Sequence, residues 1–217
     1  MTDMVGRFPA LSLAAAAVLL LAAAQPGAAQ APPQTPQAPK VQPVEPPAKL
    51  PKPQRGDRTK NLDFLFEALK LAPDAETSKA IEERIWAVWV VSGSDTCNLL
   101  MSRVKAATDD KNYDLALKLL GAVIAINPKY VEAWNQRATL YYLKDDYGHA
   151  LADIREVLAL EPRHFGAWSG LGLILQDIGD DKHALEAYRK ALEIDPHLEN
   201  IPEVVKTLGE KVEGRSI

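Results

Sequence analysis

VEAWNQRATLYYLKDDYGHALADIREVLALEPRH, residues 131–164, and FGAWSGLGLILQDIGDDKHALEAYRKALEIDPHL, residues 165–198, fall into register when one is slid 34 residues along the other. Trp134 then meets Trp168, Ala138 meets Gly172, Ala150 meets Ala184, Leu151 meets Leu185 and Pro162 meets Pro196. Residues 97–130 follow the same register with Leu100, Val104, Ala116, Leu117, Leu120, Val123 and Pro128. A fixed period of this length marks a stack of like units, each too small to bury its apolar face alone. Within a unit the apolar spacings are three and four, as in Trp134, Ala138, Tyr141 and then Ala150, Leu151, Ile154, Val157, Leu158, which describes two amphipathic helices rather than strands. Lys111-Asn112, Asp145-Asp146 and Gly179-Asp180 break the units near their middles, and Asn127-Pro128, Glu161-Pro162 and Asp195-Pro196 end them. Small residues at Val104, Ala138 and Gly172, with alanine at 116, 150 and 184, are expected where the two helices of a unit approach closely. Leu100, Trp134, Trp168, Leu120, Ile154 and Tyr188 are expected to fill the space between units.

This pattern resembles the tetratricopeptide repeat family, whose signature places Trp, Leu-Gly, Tyr, Ala, Phe, Ala and Pro at these intervals. The second unit matches with Trp134, Ala138, Tyr141, Ala150, Val157 and Pro162, and the third with Trp168, Leu171-Gly172, Ala184, Tyr188, Ala191 and Pro196. The first departs most, with Leu100 for the Trp and Val104 for the Gly. The resemblance implies an all-α right-handed superhelix of tandem helix-turn-helix repeats, with roughly nine helices once capping helices are added.

Upstream, Leu62 to Leu71 and Ala75 to Val91 read as a degenerate helix pair spanning 61–96 that caps the front of the stack, with Trp86, Trp89 and Val90 as its buried stripe. Its register is 36 residues from the next unit rather than 34. Downstream, residues 199–217 hold a short helix whose Val204, Val205 and Leu208 cover the last unit, since stacked repeats need lids to stay soluble.

The first sixty residues are of other material. Ala10 to Ala24 is an unbroken apolar stretch, followed by Pro26, Gly27 and small residues, and the order matches a secretory signal over 1–29 cleaved after Ala29. A retained anchor is the alternative, but fifteen apolar residues fall short of the roughly 20 needed to span hydrocarbon. Export to a bacterial periplasm, without stable membrane insertion after cleavage, is therefore expected. Residues 30–60, rich in Pro, Gln and Ala, read as an extended linker. Six cations against two anions give that linker +4, and with a chain total of −4 the remainder from residue 61 carries −8. An acidic body argues against nucleic acid as a partner. Cys97, the sole cysteine, can form no internal disulfide and reads as a small buried hydrophobe.

No catalytic or cofactor constellation is found. His149 and His183 occupy the same repeat position, but equivalent helices of neighbouring units lie roughly 8–10 Å apart, too far for both imidazoles to reach one zinc. Ser-His-Asp sets, phosphate-binding glycine loops and paired-cysteine spacings are missing, so no enzyme, cofactor or metal is expected. Arg137 is expected to pair structurally with Asp153 on the second helix of its unit, because a partly buried guanidinium needs a partner.

The resemblance implies that the first helix of each unit lines a concave groove that holds a peptide or helix of a protein partner. On this sequence it falls on Asn98, Met101, Ser102, Lys105, Asn135, Gln136, Thr139, Tyr142, Ser169, Leu173 and Gln176. Such a groove is amide-rich and almost uncharged, suited to an extended backbone. Family members that grip a terminal carboxylate do so with several Lys, Arg and Asn side chains, and here Lys105 is the one cation, which disfavours that mode. The expected role is an adaptor in envelope assembly, secretion or protein turnover; self-association as a structural homo-oligomer is the alternative.

Overall fold

The computed structural model describes residues 42–43 and 58–214, all within one compact unit, Gln37–Ile217. The signal expected over 1–29, and all but a few residues of the linker, lie outside the described residues. Among the described residues there are nine helices and no strand: α1 Arg58–Lys70, α2 Ala75–Trp89, α3 Asp95–Asp109, α4 Tyr113–Ile126, α5 Val131–Leu143, α6 Tyr147–Leu160, α7 Phe165–Asp177, α8 Asp181–Ile194 and α9 Ile201–Glu213. Each of the three 34-residue units is one helix pair, and the pairs stack in chain order, α4 on α5 and α6 on α7.

The turn inside each unit is built the same way three times. Lys111, Asp145 and Gly179 hold the left-handed conformation, with φ of 57°, 57° and 84°. The following amide reaches back to an orphan carbonyl of the preceding helix, as Asn112 to Ala107, Asp146 to Tyr141 and Asp180 to Leu175. That same residue then caps the next helix, its side chain accepting from the amides of Leu115, His149 and His183 respectively. Two residues thus end one helix and start its antiparallel partner. No room is left for a longer loop.

Close approach within the pairs is a matter of complementary sizes. Tyr188 on α8 is fully buried, and a Cβ at Gly172 on α7 would sit 2.6 Å from its ring. In the preceding units Ala138 shares a core with Ile154, and Val104 with Leu120. Where the second-helix side chain is aliphatic, Leu120 or Ile154, the first-helix residue is Val104 or Ala138; where it is the larger Tyr188, the first-helix residue is Gly172. Interiors are packed too tightly to admit both large members at once.

The α1–α2 hairpin does not stack on the front of the first unit, as its loose register suggested. It lies across the loops that close the three units, residues 127–130, 161–164 and 195–198. At the last loop, Ser78 donates to Asp195 at 2.8 Å, and His197 Nε2 lies 3.0 Å from the Ala72 carbonyl oxygen. At the middle loop, Trp89 stacks on His164 with ring centroids 4.1 Å apart, Trp86 meets Phe165 edge-on at 5.6 Å, and Arg163 donates to Asp63 at 2.7 Å. At the first loop, the Tyr130 hydroxyl donates to the Val90 carbonyl at 2.8 Å and the Asn127 amide to Ser92 at 3.1 Å. Trp86 and Trp89, three residues apart on α2, are larger than any residue on the second helices of the three units. Their bulk finds its room beside His164 and Phe165, in a core that continues through Leu185, Tyr188 and Leu198 to Ile201, Val204 and Leu208 of α9.

Glu82 on α2 faces the same seat. Burial, and next the Asp195 carboxylate, push its carboxyl up to about 8. Asp195 is itself fully buried, with one oxygen taken by Ser78 and the other without a hydrogen-bond partner. A protonated Glu82 relieves a repulsion that an ionised one would impose. Because the folded-state value is raised above the ordinary 4.5, the folded chain binds the extra proton between about pH 4.5 and 8. The stability this proton confers is complete below that window and lost as pH rises through it. Glu82→Gln should flatten the fall in melting temperature between pH 5 and pH 8; an unchanged slope in thermal denaturation would refute this account.

Candidate functional site

The inner helices α5 and α7 lie side by side and, with α6, enclose a shallow hollow. Its walls are Asn135, Ala138, Thr139 and Tyr142 from α5, Ile154 from α6, and Gly166, Ala167, Gly170, Leu173 and Ile174 from α7. Pro43, from the proline-rich segment far upstream, also lines it. Small residues make the hollow possible. At the positions where α5 carries Glu132 and Gln136, α7 carries Gly166 and Gly170, so the facing helix presents bare backbone where side chains would otherwise close the space. A Cβ at Gly170 would only touch Ile154, at 3.7 Å.

Of the eleven residues expected to line a groove, Asn135, Thr139, Tyr142 and Leu173 meet at this hollow. The others divide by their hydrogen bonds. Asn98 is exposed and accepts from Ser92 at 2.7 Å, Ser102 donates to the Leu99 carbonyl, and Lys105 is bound to Asp109 in its own helix at 2.9 Å. Met101 is half-buried in the core of the first unit. Ser169 is 1% exposed and donates to the Phe165 carbonyl, and Gln176 accepts from the Tyr188 hydroxyl at 3.1 Å. Ser169 is therefore a packing residue and not a partner contact.

Tyr142 is the one aromatic of the eleven and is half-buried. Its hydroxyl donates to Asp177 of the next unit at 3.0 Å. Burial first, and then that hydrogen bond, push the phenol up to about 12, so it remains a proton donor at ordinary pH. Beneath the hollow's end, Glu132 is fully buried and accepts from the amides of Asn135 at 3.3 Å and Gln136 at 3.1 Å. His164 is also fully buried and accepts the Ala167 amide proton on Nδ1, which leaves Nε2 to carry the ring proton, 3.9 Å from Glu132. Sequence reasoning passed over this pair because Glu132 and His164 stand at non-equivalent repeat positions. The useful signal was local: a histidine at the residue before a helix, followed by Phe165 and Gly166, is in place to cap it.

His149 and His183 do not converge. Each lies 2.7 Å from the aspartate that caps its own helix, Asp146 or Asp180. These contacts hold both aspartates below the ordinary carboxylate value, through the His149 backbone amide foremost for Asp146 and the His183 ring foremost for Asp180. Among the described residues no group of three or more His, Cys, Asp or Glu gathers to hold a metal.

Arg137 donates twice to Asp153, both bonds at 2.7 Å, and its guanidinium lies 4.9 Å from the Trp134 ring centre. Asp153 is nearly buried, so the planar fork serves to satisfy a carboxylate inside the unit.

A tetratricopeptide repeat model matches residues 131–164, and a second matches 166–198. Residues 131–164 and 166–198 are thus tetratricopeptide repeats. It is 41% identical over 93 residues to a TPR repeat-containing protein of Rhizobium etli, a match that covers 43% of this chain and 46% of that relative. The chain thus spans about half of the curated relative's length. Among solved structures this repeat protein is similar to the Sgt2 TPR domain from Aspergillus fumigatus, at 28% identity and a TM-score of 0.51, over 55% of this chain and 81% of that one. It shares its fold with the first TPR of Spaghetti (RPAP3) bound to an HSP90 peptide, at 18% identity and a TM-score of 0.52, over 57% of this chain and 97% of that one. It does so too with MamA from Desulfovibrio magneticus, at 18% identity and a TM-score of 0.50, over 73% and 88% of the two chains.

The Arg137–Asp153 bridge belongs to the scaffold and not to the hollow, which neither residue lines. Arg137→Met leaves a buried carboxylate without its partner and should cost about 3 kcal/mol of stability. In denaturant titration the midpoint should fall, while any ligand bound at the hollow keeps its affinity at temperatures where the variant is folded.

Proposed function

We propose that this chain is a non-catalytic scaffold that is exported to the periplasm and holds an extended peptide or helix of a protein partner against α5 and α7. The observation that carries the reading is the convergence of Asn135, Thr139, Tyr142 and Leu173 on one hollow. That surface offers an aromatic face, an aliphatic wall and amide and hydroxyl groups, the mixture that extended peptides need. An adaptor role in envelope assembly, secretion or protein turnover fits the apolar N-terminal stretch Ala10 to Ala24, read as an export signal. The acidic body argues against nucleic acid as the partner. No helix among the described residues is long and apolar enough to cross a membrane.

A second reading, self-association, is favoured by one observation. Leu99 on α3 and Leu115 on α4 are 57% and 45% exposed, on the unit that the α1–α2 hairpin leaves without a stacked neighbour.

Selection of displayed peptides against the purified chain, followed by calorimetry, tests the first reading. Selected peptides should bind the intact chain and lose at least about tenfold in affinity to Tyr142→Ala or Thr139→Arg. Equal affinity in these variants, with light scattering that shows a concentration-dependent dimer, would overturn it in favour of the second. For export, the protein recovered from a periplasmic fraction should begin at Gln30 by N-terminal sequencing; an intact N-terminus in the cytoplasm would count against it.

A further inference from the structure

We infer that the hollow between α5 and α7 is a seat for a proline of an extended, proline-rich segment, and that the chain's own Pro43 lies against it. This rests on the reading of that face as a peptide site and names the class of ligand it takes. Pro43 is the one wall of the hollow that does not come from α5, α6 or α7. It is half-buried there, while Gln42 beside it is exposed, so the ring faces the protein and its neighbour faces solvent.

Four arguments favour this occupant. The hollow is wide because Ala138, Gly166, Ala167 and Gly170 carry little or no side chain, and it is walled by Tyr142 and Leu173, a slot for a compact apolar ring. Proline reaches such a slot at low entropic cost, because its φ is fixed and proline-rich chains are already extended. Val41-Gln42-Pro43-Val44-Glu45-Pro46-Pro47 is a sequence of that kind. Charge favours the contact as well, since the segment 30–60 nets +4 and the remainder of the chain −8. The geometry of the tether is also permissive: the fourteen residues between Pro43 and Arg58 can span up to about 50 Å. A tether of that length gives an effective concentration on the order of millimolar, so even a weak contact is largely formed within one molecule. An outside ligand must then displace Pro43, and the apparent affinity of the groove is lowered accordingly.

Disulfide trapping in the full chain tests the seat. Pro43→Cys combined with Thr139→Cys should oxidise to a cross-linked monomer at least tenfold faster than Pro36→Cys or Pro51→Cys combined with the same partner. Cys97 is buried and stays out of the reaction. Equal rates at all three positions would mean that the tether samples the groove at random, and cross-linking found only between molecules would assign the seat to a second copy; either result overturns the inference. A fluorescent peptide of residues 38–48 supplies the second reading. It should bind the full chain carrying Pro43→Gly at least tenfold more tightly than the unaltered chain, and Tyr142→Ala should remove the gain. If this peptide fails to bind Pro43→Gly while selected peptides still bind in a Tyr142-dependent way, the proline seat is wrong and the peptide groove stands. If neither class binds, both are wrong.

Discussion

The constraint on which this structure depends is the distance of closest approach between the two helices of a unit. Each 34-residue pair has one point where backbone must come near a neighbouring side chain, and the residues there are matched in size: Val104 with Leu120, Ala138 with Ile154, Gly172 with Tyr188. If both members were large, the pair would open, and the face that the next unit needs for its own burial would move with it. Because each unit is stable only on its neighbours, an error at one contact is passed along the stack. The hollow follows from the same economy of volume. Gly166 and Gly170 thin the face of α7, and the space they leave is open to the surface because α5 and α6 are already committed to their own pair.

A second tier of structure holds the stack from the side. Helix α2 and its C-terminal Val90 touch the loops that close the three units in turn, through Asp195, through His164 and Phe165, and through Tyr130. A stack of pairs joined only by nearest-neighbour contacts can flex by small rotations at each interface. A helix fixed across three successive joints limits those rotations and so fixes the separation of α5 and α7, which sets the width of the hollow. The polar groups buried along this seam are unusual in number for so small a core: Ser78, Glu132, His164 and Asp195 are all fully buried. Buried polar groups are costly unless paired in a defined geometry, and they favour one seating of α2 over slipped alternatives.

The groups at the hollow are a phenol held protonated, an aliphatic wall and amides engaged at hydrogen-bonding distance, which suit the recognition role proposed above. The nearest acid-base pair, His164 and Glu132, is sealed from solvent, and Trp89 lies flat upon the imidazole. What His164 contributes is a cap for α7.

By itself the sequence determined the repeat. Period, turn residues and alternation of small with large side chains are local properties, readable because each unit repeats them, and the three helix pairs follow from that register; the Arg137–Asp153 bridge was read from the partner that a partly buried guanidinium needs, and the placing of Asn135, Thr139, Tyr142 and Leu173 on one surface from the resemblance to the repeat family. The tertiary structure alone decided what the register does not encode. The place of α1 and α2 depended on where two tryptophans could find room, which is a property of His164 and Phe165 more than seventy residues away. Ser169, a groove residue by the resemblance, is buried and donates to the Phe165 carbonyl, whereas Gln176 stays half-buried with its side-chain oxygen bonded to Tyr188. Pro43 met the hollow through a contact between segments that share no periodicity, and no pattern within either segment records it.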